Sequence, residues 1–137
     1  MQENLSNQRP VEVCAAIIIK QGEILITKRP EDKRLGGYWE FPGGKVDDNE
    51  TQQQALIREL KEELDIEISV GDLFETVHHR YDWGQVMILA YLCTWKSGQL
   101  KHLEVADHRW VKAEDLLDFN ILPADQPIIK KLQTIFS

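Results

Sequence analysis

Long apolar runs are missing from this chain. The longest, Val13–Ile19, falls far short of the about 20 residues that a membrane-crossing helix needs, which excludes a helical transmembrane protein. Cysteine is scarce. Cys14 and Cys93 cannot build a disulfide framework or a zinc site, and both lie inside apolar stretches that read as core. Basic charge is in deficit: 16 Lys and Arg against 23 Asp and Glu leave a net charge of −7. A nucleic-acid backbone is therefore excluded as partner, because it requires a basic face. A small phosphorylated ligand is not excluded, since local cations or a bridging metal ion can hold one. The first ten residues are polar and lack an apolar signal core, so a cytoplasmic location is expected. Repeats and low-complexity tracts are also absent. The 137 residues read as a tail over 1–10 followed by one domain over 11–137.

What is present is a mixed pattern. Val11–Lys20 and Glu23–Lys28 read as strands joined by a turn at Gln21-Gly22. Arg29–Gly44 reads as a long loop with brief extended pieces, a length that usually marks function. Thr51, with Gln54 three residues on, fits a capping box and opens a helix to about Leu64. Strands are predicted at Ile66–Val70, within Leu73–Tyr81 and Gln85–Trp95, and at Arg109–Val111, with a turn at Ser97-Gly98. Helices are predicted at Ala113–Leu117 and Ala124–Ile135. The pattern reads as an α+β or α/β sandwich and not a regular βαβ repeat.

The central helix carries the chemistry. At about 100° per residue, Leu56, Ile57, Leu60 and Leu64 form a core stripe. Glu59, Glu62 and Glu63, at i, i+3 and i+4, form a neighbouring acidic arc, with Arg58 and Lys61 projecting away from it. Like charges at that spacing weaken a helix. The arc is therefore either a solvated face or a site where carboxylates converge on a hard cation. Glu50, one turn earlier, either joins that cluster or caps the helix.

Reading outward, Gly44, five residues, Glu50, seven residues, then Arg58-Glu59-Leu60-Lys61-Glu62-Glu63-Leu64-Asp65-Ile66 resembles the Nudix box, G-x5-E-x7-R-E-U-x-E-E-x-G-U with U apolar. One fixed position departs: Asp65 stands where the pattern has a left-handed glycine, a conformation Asp tolerates better than most residues. Trp39–Lys45 and Leu122–Pro127 are similar to the pre-box and base-contacting segments of the family's MutT-like branch.

The resemblance implies an α+β fold, an α/β/α sandwich with a mixed sheet between helices, and a loop-helix-loop metal site. It implies Mg²⁺, with Mn²⁺ as an alternative ion, and a nucleoside triphosphate substrate split to a monophosphate and pyrophosphate. The implied metal ligands are Gly44, Glu59, Glu62, Glu63 and Glu104. Glu59 or Glu104 is the implied base, in that order, with Arg58 orienting Glu59. Arg29, Glu40, Phe41, Lys45, Tyr81 and Asp125 are the implied substrate contacts. MutT itself has asparagine at the position of Asp125 and an arginine near Gly84. A carboxylate at Asp125 can accept from both N1–H and N2–H₂ of guanine, so dGTP or 8-oxo-dGTP is the expected substrate. CTP or 5-methyl-dCTP is the alternative, and a catalytically silent nucleotide sensor is the alternative outside enzymology. Neither nucleic acid nor a membrane is an expected partner, and the chain is expected to be a monomer or homodimer. His78 and His79 face opposite sides of a strand and are given no role. His102 and His108 are read as surface residues.

Overall fold

Val11–Lys20 is apolar at almost every position, the signature of a strand covered on both faces. In the computed structural model, which describes residues 9–136, it is strand β1 and the sheet is built around it. The tail expected over residues 1–10 lies outside the described residues except for Arg9 and Pro10. The chain continues through β2 (Glu23–Lys28), β3 (Trp39–Glu40), β4 (Gly43–Lys45), helix α1 (Gln52–Leu64), β5 (Glu67–Tyr81), β6 (Gly84–Ser97) and β7 (Asp107–Val111). Two 3₁₀ turns, Ala113–Asp118 and Pro123–Asp125, then lead into helix α2 (Gln126–Ile135).

β1 runs parallel to β6 from Val11↔Val86 to Ile18↔Cys93. On its other edge it forks. Val13–Ala15 pair antiparallel with β4, and the far end forms the β1–β2 hairpin. β2 in turn pairs with β3 and β7, and β5 pairs with β6, which completes a mixed seven-stranded sheet.

The strand alternation divides the core in two. Cys14, Ala16, Ile18 and Leu25 face α1 and pack with Leu56, Leu60 and Leu64. Ala15, Ile17, Ile24 and Ile26 face the other way, onto Ile128, Ile129 and Leu132 of α2. This is the expected α/β/α sandwich. Both cysteines are buried, and burial pushes their thiols to about 11 and about 12, as inert core groups.

Helix α1 begins as its sequence predicts. Thr51 Oγ1 accepts from the Gln54 N–H at 3.0 Å, and the Gln54 amide returns to the Thr51 N–H at 2.9 Å. It ends on Asp65, left-handed at φ 58°, whose carboxylate pairs with Lys61 and Lys101. The non-glycine closure is thus held by two cations.

Four expectations need correction. Ile57 is not core: it is 38% exposed, and the fourth buried position of α1 is Ala55. The buried arc is rotated towards the side of Glu59 and Glu63. The two strand pieces before Tyr81 are one strand, β5, with irregular register between Val70 and Leu73 and between Leu73 and Glu75. Residues 113–117 form a 3₁₀ turn, not a helix. The last helix starts at Gln126, because Pro123–Asp125 is itself a 3₁₀ turn.

Candidate active site

The loop before α1 delivers backbone to the helix's acidic side. β4 is short because it only has to lay Gly43 and Gly44 against Ala15 and Cys14 of β1. Gly43 is required by close approach, and Gly44 leaves room for the Glu59 side chain. A Cβ on Gly43, at φ 153°, would overlap the Cys14 carbonyl, and one on Gly44 would overlap the Glu59 carboxylate. Gly44 and Glu59 are therefore neighbours in space, as the spacing of the motif requires.

Arg58 does not project away from the acids; its long side chain folds back among them. Its Nη1 donates to Glu59 Oε1 at 2.8 Å and to Glu62 Oε1 at 3.0 Å. Its Nε and Nη2 hold both Glu50 oxygens at 3.1 and 2.6 Å, and Nη2 also reaches the Lys45 carbonyl at 3.0 Å. Glu50 neither caps the helix nor stands free. It locks Arg58 in place and accepts from the Asp47 N–H at 2.7 Å. The Arg58 hydrogen bonds hold the Glu50 carboxyl below the usual carboxylate range, and the same bonds raise Arg58 above its own.

Glu63 is pulled the other way. Burial first, then the charge of Glu40 and the facing Glu59, push its pKa well above the usual range, against the pull of the Gly43 N–H. Among the described residues, the α1 glutamates are not drawn into a three-oxygen cluster, since Arg58 engages Glu59 and Glu62. The donor set nonetheless fits a hard divalent cation, which takes carboxylate and carbonyl oxygens. The negative charge crowded around Glu63 is what such a cation would relieve. Glu104 is exposed on the loop between β6 and β7, where its N–H bonds the Glu63 carbonyl at 3.2 Å.

Beside this helix lies a cavity of about 680 Å³. Gly44, Lys45 and Asp125 line it, together with Arg29, Glu40, Phe41 and Tyr81. All the expected substrate contacts therefore share one cavity. Asp125 is 3% exposed, and its Oδ2 accepts from the Phe41 N–H at 3.1 Å. The side chain points into the fold and does not cap α2. Burial, reinforced by the charge of Glu40, pushes its carboxyl to about 8, with Phe41 and Arg29 pulling it down. Glu40 is pushed to about 7 by burial, although Arg29 Nη1 donates to it at 3.1 and 3.3 Å.

Tyr81 does more than offer a ring. Its hydroxyl accepts from the Ala124 N–H at 3.2 Å, which ties the end of β5 to the turn that carries Asp125. Trp83 stacks on Tyr81 at 5.3 Å, and the Arg34 guanidinium lies 4.4 Å over the Trp83 ring. Lys33 and Arg34 line the cavity and escaped the sequence reading. Their only signal was two adjacent cations in a glycine-rich loop of an acidic protein.

The comparisons with known proteins fall on this architecture. A family model described as the NUDIX domain matches residues 14–131. A CTP pyrophosphohydrolase of Escherichia coli K12 is 37% identical over 129 residues, which cover 91% of this chain and 93% of that one. An 8-oxo-dGTP diphosphatase of Proteus vulgaris is 38% identical over 95 residues, covering 68% and 85%. The solution structure of the E. coli ORF135 protein superposes with a TM-score of 0.82 at 34% identity, covering 97% and 95%. The chain belongs to the Nudix family and is a Nudix hydrolase.

Proposed function

We propose that this hydrolase is a divalent-metal-dependent nucleoside triphosphate pyrophosphohydrolase that acts on guanine nucleotides, dGTP or 8-oxo-dGTP, in the cytoplasm. The observation that carries the reading is one cavity lined both by the buried Asp125 and by Gly44, the neighbour of Glu59. A base at Asp125 directs its phosphates towards the helix.

In this reading Gly44, Glu59, Glu62 and Glu63 hold Mg²⁺ or Mn²⁺, with Glu104 as a further ligand from the adjacent loop. The ion supplies charge neutralisation on the phosphates and a more acidic water. Arg58 fixes the orientation of Glu59, and Glu59 or Glu104 takes the proton. Lys45, Arg29, Lys33 and Arg34 offer cations to the phosphates. Phe41 and the Tyr81–Trp83 pair flank the base, and Asp125 reads its edge.

A second reading, a cytosine triphosphate, is supported by the 37% identity to the E. coli CTP pyrophosphohydrolase, and it fits the Asp125 carboxyl, which burial pushes up to about 8. Near neutrality it is then mostly an acid, able to donate to N3 of cytosine and accept from its N4–H₂. The same acid can donate to O6 of guanine and accept from N1–H, so both bases remain served.

Product analysis tests the reaction itself. With Mg²⁺, each dGTP consumed is expected to yield one dGMP and one pyrophosphate, and chelation should abolish turnover. Orthophosphate as the product, or turnover that survives chelation, would contradict the reading.

A further inference from the structure

Away from the cavity, three ligand-bearing side chains meet where the β6–β7 loop enters β7. His102 belongs to the loop, while Asp107 and His108 open the strand. His102 Nε2 and His108 Nδ1 face each other at 2.7 Å, with the rings inclined at 68°. One ligand atom from each of the three residues lies within 4.8 Å of the others. Among the described residues, this is the one such convergence.

Two facing ring nitrogens have two settlements: they share one proton, or both turn lone pairs to a cation. A first-row ion bound tetrahedrally at about 2.0–2.1 Å from each nitrogen holds them roughly 3.3 Å apart, so the facing pair, now at 2.7 Å, needs only a small opening. The third ligand is already oriented, as Asp107 Oδ1 accepts from the His108 N–H at 2.8 Å. Its Oδ2 is held by Nη1 of the half-exposed Arg109 at 2.7 Å, a nitrogen that also donates to the His108 carbonyl at 2.8 Å, so metal binding displaces this ion pair. The backbone of the segment is anchored as well. Leu103 and Glu104 donate to the Glu63 carbonyl at 3.0 and 3.2 Å, and Ala106 donates to the Lys28 carbonyl at 2.9 Å. Little chain ordering is left for binding to impose.

We propose that His102, Asp107 and His108 form a second metal site, selective for a borderline transition ion such as Zn²⁺. Two imidazoles and one carboxylate suit Zn²⁺, Co²⁺, Ni²⁺ or Cu²⁺ and are poor ligands for Mg²⁺. Exposed His102 gives the ion a path from solvent, and the remaining position takes water. Occupancy joins the two ends of the 102–108 segment, which carries Glu104. The inference is independent of the substrate reading.

The test is calorimetric titration of the whole protein with Zn²⁺ in excess Mg²⁺, with Co²⁺ absorption as a second readout. One Zn²⁺ per chain is expected, with nitrogen-ligand bands for Co²⁺. His102→Gln and His108→Gln should each weaken binding by at least roughly tenfold, while Glu63→Gln leaves it intact. If His108→Gln disturbs folding, exposed His102→Gln alone decides. Two results would overturn the site: no Zn²⁺ uptake against Mg²⁺, or uptake that His102→Gln preserves and Glu63→Gln removes.

Discussion

Glu63→Gln is expected to lower kcat/KM by at least about 100-fold, because loss of even an outer-shell partner of a metal costs roughly 10–100-fold and Glu63 is proposed as a direct ligand. Stability should move the other way. Without metal, burial and the charges of Glu40 and Glu59 hold the Glu63 carboxyl above 4.5. The fold therefore favours the protonated form. That contribution is complete at acid pH and is lost as pH rises through the raised folded value. Glutamine lacks the charge that this burial penalises. The metal-free variant should melt no lower than the parent, while Mg²⁺ should raise the parent's melting temperature more than the variant's. Activity and thermal melting, measured together, separate this from simple misfolding. A variant that keeps full turnover would remove Glu63 from the mechanism.

The second large effect concerns Asp125. Its carboxyl, raised to about 8, is mostly neutral at neutral pH and ionised well above it. The neutral acid serves guanine through O6 and N1–H and cytosine through N3 and N4–H₂. The carboxylate serves guanine through N1–H and N2–H₂ but meets cytosine N3 with a lone pair. As pH rises through about 8, the guanine-to-cytosine ratio of kcat/KM is expected to climb by about 5–150-fold, since one bidentate base contact is worth about 1–3 kcal/mol. Taking the ratio at each pH cancels effects common to both substrates. Asp125→Asn cannot titrate, and its ratio should stay flat. A flat ratio in the parent would contradict the role of Asp125, and a shift that survives in the variant would place the titrating group elsewhere, Glu40 being the neighbour that burial pushes up to about 7. The same burial acts on folding. Asp125 contributes most below its ordinary 3.8, and that contribution is lost as pH climbs towards 8.

Much of this was legible because it is local. Glu59, Glu62 and Glu63 are neighbours through helix geometry alone, and Val11–Lys20 announces a strand covered on both faces through its apolar continuity. Thr51 and Asp65 mark the helix ends by the chemistry of one side chain each. What the sequence did not disclose depends on groups far apart in the chain or on long side chains. A helical wheel directs the Arg58 Cβ away from the acids, but four bonds further out its guanidinium reaches Glu50 and Lys45 in the preceding loop. Ile57 lies on the nominal apolar stripe, yet the helix is rolled to bury the Glu63 side. The raised pKa of Asp125 follows from its burial in the folded chain and from the charge of Glu40, 85 residues away, neither of which a sequence pattern encodes. The pairing of His102 with His108 follows from a loop fold that no periodicity encodes.

The central claim is that one cavity joins a base read by Asp125 to a metal-bearing helix. The most direct measurement of it is pyrophosphate release with Mg²⁺ from dGTP, 8-oxo-dGTP, dCTP, 5-methyl-dCTP and dATP, compared as kcat/KM. The account predicts turnover with guanine nucleotides foremost, and the ratio of 8-oxo-dGTP to dGTP then separates sanitation of oxidised nucleotides from plain dGTP hydrolysis. A cytosine preference would overturn the guanine assignment and leave the helix untouched. Failure of all five to turn over would contradict the triphosphate reading itself.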